Sequence, residues 1–194
     1  MHINYIFEKI VSKICVIGST YFMRAKASLD SISLGKHSVF HGVMKFVRES
    51  DTTIIVGNNC QFRSYHTSNL IGINRPCIVS TILPRSKIII GDNCGFSGTV
   101  IGCFDTIEIG NNVKCGANTL ITDSDWHLDD PRAEVPKTVK ICDNVWLGEG
   151  SKVLKGVTIG ENSVIGAGSV VTKSIPANVI AAGNPCKVIK QLPN

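Results

Sequence analysis

One stretch of this chain gathers most of its chemically active side chains: Thr122-Asp123-Ser124-Asp125-Trp126-His127-Leu128-Asp129-Asp130-Pro131-Arg132. An imidazole titrates near neutral pH, and a carboxylate beside it can fix its tautomer and raise its basicity. That is the equipment of a general base that takes the proton from a hydroxyl as the oxygen becomes a nucleophile. His127 is the candidate base, and Asp125 and Asp123 are both candidates for the orienting carboxylate. A lone surface histidine would mean little; what sets His127 apart is the regularity of the sequence around it.

That regularity is a period of six. Ile141, Leu147, Val153, Ile159, Ile165 and Val171 are large aliphatics, each six residues after the last. Four positions after each stands Val145, Ser151, Val157, Ser163, Ser169 or Ile175, mostly small or β-branched. An even period keeps the same strand face inward in every repeat. Six residues make one short strand plus a turn, and three such units close a triangular coil. Three positions after the aliphatic come Asn59, Asn93, Asn112, Asn118, Asn144, Gly150, Gly156, Asn162 and Gly168. Asn and Gly tolerate positive φ, so each is suited to a corner. The phase extends upstream through Ile109, Cys115 and Ile121, through Ile90 and Phe96, and through Val56 and Phe62. Leu34 and Phe40 begin a degenerate first coil. The spacing predicts an all-β, parallel β-helix of at least five coils.

Insertions in a stacked solenoid must leave as loops, and loops tend to carry the site. Counting residues against the period places one loop at about 63–86 and another at about 122–139, so His127 stands on an excursion from a strict solenoid. The first loop holds Asn74 and Arg75, candidates for an acceptor wall. The chain divides into a helical segment, 1–30, and a β-helix domain, 31–194, with a short C-terminal tail.

Composition narrows the function classes. The formal charge of +5 is spread out, and with 6% aromatic residues there is no basic–aromatic platform for nucleic acid. The eight cysteines include no C-x-x-C pair, and Cys60 and Cys94 fall where the repeat wants a small apolar side chain, Cys115 where it wants a large one. Their pattern predicts free thiols, no metal and a reducing, cytoplasmic compartment. The five histidines, His2, His37, His41, His66 and His127, are too dispersed for a three-histidine zinc centre. Near the N-terminus, Ile3, Ile6, Phe7, Ile10, Ile14 and Ile17 lie three or four apart, on one face of a helix. Such a helix packs on the body or a neighbouring subunit; the alternative is peripheral contact with a membrane, at its inner face.

The chain resembles the hexapeptide-repeat sugar O-acetyltransferases, including the galactoside, maltose and capsular or lipopolysaccharide enzymes. The resemblance covers roughly 34–192. It is most specific at Ser97-Gly98-Thr99-Val100-Ile101, at 122–127, at Asn144-Val145-Trp146-Leu147-Gly148, at 165–173, and at the ending Ala181-Ala182-Gly183-Asn184-Pro185-Cys186-Lys187. It implies a left-handed coil, a homotrimer, acetyl-CoA as donor and a sugar or glycan hydroxyl as acceptor, as in polysaccharide biosynthesis. By position it implies that Trp146, Gly148, Ala167, Thr172 and Lys173 line the CoA groove, with Lys187 and Lys190 at the nucleotide phosphates. Ser97 and Trp126 would lie toward the acceptor. Glu149 departs from relatives that carry a serine beside the thioester carbonyl, and an ionised glutamate cannot donate a hydrogen bond there. Transfer to serine or to an amino-sugar nitrogen is the alternative reaction, and a non-catalytic β-helix scaffold the alternative class.

Overall fold

A computed structural model of the chain describes residues 2–193, with side chains from Lys9 onward. Helix α1 (His2–Leu29) is followed by coils of three short strands. The first coil is β1 (Ser33–Leu34), β2 (Val39–His41) and β3 (Lys45–Arg48); the second is β4 (Thr53–Val56), β5 (Gln61–Arg63) and β6 (Ile78–Thr81). The third is β7 (Lys87–Ile90), β8 (Gly95–Ser97) and β9 (Val100–Cys103); the fourth is β10 (Thr106–Ile109), β11 (Lys114–Ala117) and β12 (Leu120–Thr122). The fifth is β13 (Val139–Ile141), β14 (Trp146–Leu147) and β15 (Lys152–Val153); the sixth is β16 (Thr158–Ile159), β17 (Val164–Ile165) and β18 (Val170–Val171). Then β19 (Val179–Ala182) continues the second face, and β20 (Lys187–Gln191) folds back antiparallel on it.

Three parallel sheets result, one per face of a triangular prism: β1-β4-β7-β10-β13-β16, β2-β5-β8-β11-β14-β17-β19-β20 and β3-β6-β9-β12-β15-β18. Every third strand in the sequence is a neighbour in space. The periodic aliphatics point inward and are buried, from Val56 and Ile90 to Ile159 and Val171. On the second face Phe40, Phe62 and Phe96 stack with ring centroids 5.1 and 5.0 Å apart. Cys115, Leu147 and Ile165 carry the same column onward, all of them buried.

The corners follow the sequence closely. Asn59, Asn93, Asn112, Asn118, Asn144 and Asn162 all have φ between 56° and 60°, and Gly150, Gly156 and Gly168 lie between 64° and 73°. At the corner between the first and second faces the asparagine side chains bond one another along the prism axis. Asn112 donates to Asn144 at 3.0 Å, Asn144 to Asn162 at 2.9 Å, and Asn162 to Asn178 at 2.9 Å. Asparagine there both accepts the left-handed backbone and ties each coil to the next.

The structure differs from expectation in two places. The predicted loop at 63–86 contains β6, so the excursion is residues 64–77 and a shorter one, 82–86, follows the strand. Counting against a period finds how many residues are extra in a coil but not which corner holds them. On α1, the stripe expected to pack on the body or on a neighbouring subunit does not pack on the body: Ile10, Ile14 and Ile17 are exposed, while Met23 and Ala27 on the opposite side join the core. Ile3, Ile6 and Phe7 of that stripe have side chains outside the described residues. The inner face of α1 also closes the open edge of β2. The Phe40 amide donates to Thr20 Oγ1 at 3.0 Å and the Gly42 amide to Ser19 Oγ at 3.2 Å, so an unpaired strand edge is satisfied rather than left free to aggregate. The helix ends in a Schellman turn: Ser31 has φ 55°, the Ile32 amide donates to the Ala27 carbonyl at 2.8 Å, and Ile32 is buried.

Phe62 lies between two stacked rings and has no solvent exposure. Phe62→Ala is expected to cost about 3–5 kcal/mol, read as a lowered midpoint in urea unfolding. Val188→Ala, on exposed β20, should leave that midpoint nearly unchanged.

Candidate active site

His127 stands on a loop whose two ends are tied together. The Lys137 amide donates to the Asp123 carbonyl at 2.9 Å, and the Gly156 amide, one coil on, donates to the Lys137 carbonyl at 2.9 Å. The Asp123 carboxylate reaches back one coil, accepting from the Phe104 and Asp105 amides at 2.8 Å each and from the Cys103 thiol at 3.4 Å. The loop is therefore stapled to the coil before it and the coil after it.

Both candidate carboxylates are occupied. Asp123 is buried and spent on backbone amides. Asp125 is exposed, pairs with Lys155 and accepts from the Glu134 amide at 3.1 Å. The Lys155 ammonium holds the Asp125 carboxyl below the usual range. Neither is bonded to the His127 imidazole, which is exposed and has no side-chain partner among the described residues. The backbone of His127 is held by turns instead: its amide donates to the Asp125 carbonyl at 3.0 Å and its carbonyl accepts from Asp130 at 3.1 Å. Lys155 was not singled out from the sequence. Its only signal there is its place at the third corner one coil after the loop, beside Gly156.

Trp126 forms the wall beside His127. It has φ 71°, donates from Nε1 to Thr122 Oγ1 at 3.0 Å, and sits edge-on to Phe104 with centroids 5.2 Å apart. Its ring lies over Gly102, where a Cβ would come within 2.3 Å of the indole. Glycine at 102 is thus what lets the tryptophan lie flat on the coil.

The other candidates group elsewhere. His127, Trp126, Thr172 and Lys173 all follow strands of the third face, at the corner between the third and first faces. Since β12 and β18 are two coils apart in their sheet, the two pairs are separated by roughly 10 Å along the axis. Gly148 and Ala167 lie together at the corner between the second and third faces, where a Cβ on Gly148 would come within 2.5 Å of the Ala167 amide nitrogen. Trp146 is exposed on β14 of the second face, and Lys187 and Lys190 are exposed on β20 at its end. The first loop docks on this second corner. Asn69 donates to Ser97 Oγ at 3.1 Å, the Asn74 amide donates to Asn118 Oδ1 at 3.0 Å, and Arg75 Nε donates to Asn74 Oδ1 at 2.8 Å. Ser97 is buried beneath that loop, which it anchors. Within one chain, then, the histidine and the residues of the second corner are not brought together. Among the described residues no three His, Cys, Asp or Glu side chains are grouped as metal ligands, and no helix is long and apolar enough to cross a membrane. A cavity of about 640 Å³ lies between α1 and the first loop, away from His127.

The stacked six-residue coil is shared with known proteins. Residues 138–173 match the family described as bacterial transferase hexapeptide (six repeats). The galactoside O-acetyltransferase of Lactococcus lactis is 47% identical over 107 residues, 53% of this chain and 51% of that protein. The enzyme of the same name from Escherichia coli K12 is 40% identical over 116 residues, 55% of each. The chain thus spans about half the length of the curated relatives it matches. Among solved structures, a maltose O-acetyltransferase from Clostridium difficile 630 is 28% identical, with TM-score 0.50, covering 92% of this chain and 88% of that one. AntD, an N-acyltransferase from Bacillus cereus seen with dTDP and 3-hydroxybutyryl-CoA, has TM-score 0.69 at 21% identity and 90% coverage of each chain; this is a likeness of fold. The architecture is the left-handed parallel β-helix, with an N-terminal helix, that the sequence resemblance implied.

The buried staple carries a pH signature. Burial raises the Asp123 carboxyl above its ordinary value, against the pull of the Phe104 and Asp105 amides and the Cys103 thiol. A carboxyl raised in the folded chain holds its proton more firmly there than in the unfolded one. Its contribution is then fullest below about pH 4 and declines as pH rises through the raised value. Asp123→Asn should be less stable at neutral pH, having lost an amide acceptor. Thermal melts across pH should show that variant without the decline that Asp123 contributes.

Proposed function

We propose that this protein is an acetyl-CoA-dependent O-acetyltransferase acting on a hydroxyl of a sugar or glycan precursor, with His127 as general base. The observation that carries the reading is an exposed, unpartnered imidazole held on a loop closed at its neck and stapled to two coils. Such an imidazole is free to meet an acceptor, while its backbone is fixed, which is what positioning a base requires. A ring nitrogen of His127 takes the hydroxyl proton as that oxygen attacks the thioester carbonyl. The tetrahedral intermediate then collapses, the C–S bond breaks, and the proton passes to the departing thiolate. Neither Asp123 nor Asp125 serves as the orienter within one chain, since both are engaged elsewhere. Glu149 cannot stabilise the oxyanion when ionised, so a backbone amide at the second corner takes that part.

The division of candidates between two corners supports a homotrimer. The third corner, with His127, and the second corner, with Gly148 and Ala167, are adjacent vertices of one prism. A three-fold, head-to-tail contact sets the third corner of one copy against the second corner of the next. The CoA arm would then lie along Trp146, Gly148 and Ala167 of one copy, facing His127, Thr172 and Lys173 of its neighbour. Lys187 and Lys190 would meet the nucleotide phosphates as point charges.

His127→Ala is expected to lower acetyl transfer by roughly 10²–10⁴-fold, measured as thiol released from acetyl-CoA across a panel of sugars, while CoA still raises its melting temperature. Full activity in that variant would sink the reading, as would absence of any thermal shift by CoA in the parent protein. Aminosugars in the same panel separate transfer to nitrogen from transfer to oxygen. Lys187→Glu with Lys190→Glu should weaken CoA binding on the order of tenfold or more. For the shared site, His127→Ala and Ala167→Trp proteins, each inactive alone, should regain activity when their subunits are mixed and reassembled.

A further inference from the structure

We propose that the outer face of α1 is a docking surface for an anionic lipid bilayer. Sheet hydrogen bonds run along the prism axis, so a helix bonded through Ser19 and Thr20 to the free edge of β2 caps that end of the coil. Met23 and Ala27 face the core, and the opposite side of the helix therefore points away from the body. That side is apolar: Ile14 is 63% exposed, Ile17 57%, Tyr21 73% and Phe22 55%. At 100° per residue, the exposed apolar arc from Ile17 through Ile10, Ile14 and Val11 to Phe22 and Cys15 spans about 160°.

Charge decides what such a face can meet. The helix carries Lys9, Lys13, Arg24 and Lys26 against one acidic residue, Glu8, and Lys26 is paired with Asp30 just past its end. Lys13 and Arg24 border the arc on one side and Lys26 on the other. A wide apolar arc with basic margins and no interleaved acid is the pattern of a helix lying in the plane of an anionic membrane interface. Basic residues close to such a surface are attracted to it, and the attraction falls with salt. The helix is too polar to span, so the contact is peripheral. Pairing with a second copy uses the same stripe, whose Ile10, Ile14, Ile17 and Tyr21 alternate by four and three. It would, however, set against each other two helices that each carry four basic residues to one acidic. An anionic bilayer supplies the negative charge that balances this excess, and a second copy of the helix adds to it.

The test is sedimentation of the full chain with vesicles of phosphatidylcholine alone and of phosphatidylcholine mixed with phosphatidylglycerol. Binding to the mixed vesicles, weakened by salt and much lower on the neutral ones, is the expected result. Ile14→Asp with Ile17→Asp should reduce it by at least about tenfold without lowering the melting temperature, because neither side chain touches the core. Three outcomes would overturn the proposal. One is no preference for the anionic vesicles, and another is undiminished binding by the double variant. The third is a drop in assembled mass of the double variant in solution by light scattering, which would assign the stripe to a second copy.

Discussion

Everything in this molecule depends on stacking parallel coils flush on one another, with strands spaced about 4.8 Å apart. Flush stacking demands that each coil turn in the same place and present the same side chain inward. Asparagine at the first corner meets the first demand, since it accepts positive φ and hydrogen-bonds its counterpart in the next coil. The six-residue spacing of aliphatics meets the second, and the columns they form continue across every face. A residue added within a face disturbs both, so the long excursions leave at corners, and between parallel strands the register slips only at a bulge between Cys115 and Ala117.

That constraint explains how the candidate site is built. A loop leaving a corner has strict solenoid on either side, so a few bonds suffice to fix it. Asp123 and Lys137 close the neck, and Lys155 holds Asp125 from the following coil. The loop spends its charged groups on anchoring and leaves the imidazole unengaged. The first loop is fixed by the same means at another corner, through Ser97 and Asn118. A rigid, repetitive body thus carries two fixed excursions at different vertices, and a site that needs both calls for a neighbouring prism.

The ends of the stack pose the opposite problem, because a coil at an end has unpaired edges. At the C-terminal end β20 turns back on β19, covering the second face. At the N-terminal end hydroxyls of α1 satisfy the amides of β2. The inner face of α1 serves both needs, with Ser19 and Thr20 closing the edge and Met23 and Ala27 joining the core, and the remaining apolar residues are left on the outer face.

Read alone, the sequence determined a stack of at least five coils and their phase, the corner residues, the buried cysteines and the loop that carries His127. All of these follow from short-range periodicity, in which each position answers to its own repeat. Tertiary structure decided what depends on contacts between distant residues. The sequence offered both Asp123 and Asp125 as partners of His127, but Phe104, Asp105 and Lys155 engage the two carboxylates, and only the stacking of coils brings those groups together. Likewise, the stripe on α1 was legible as one face of a helix, yet its direction was not. Periodicity defines a face, and only the bonds from Ser19 and Thr20 to the edge of β2 decide which way it points.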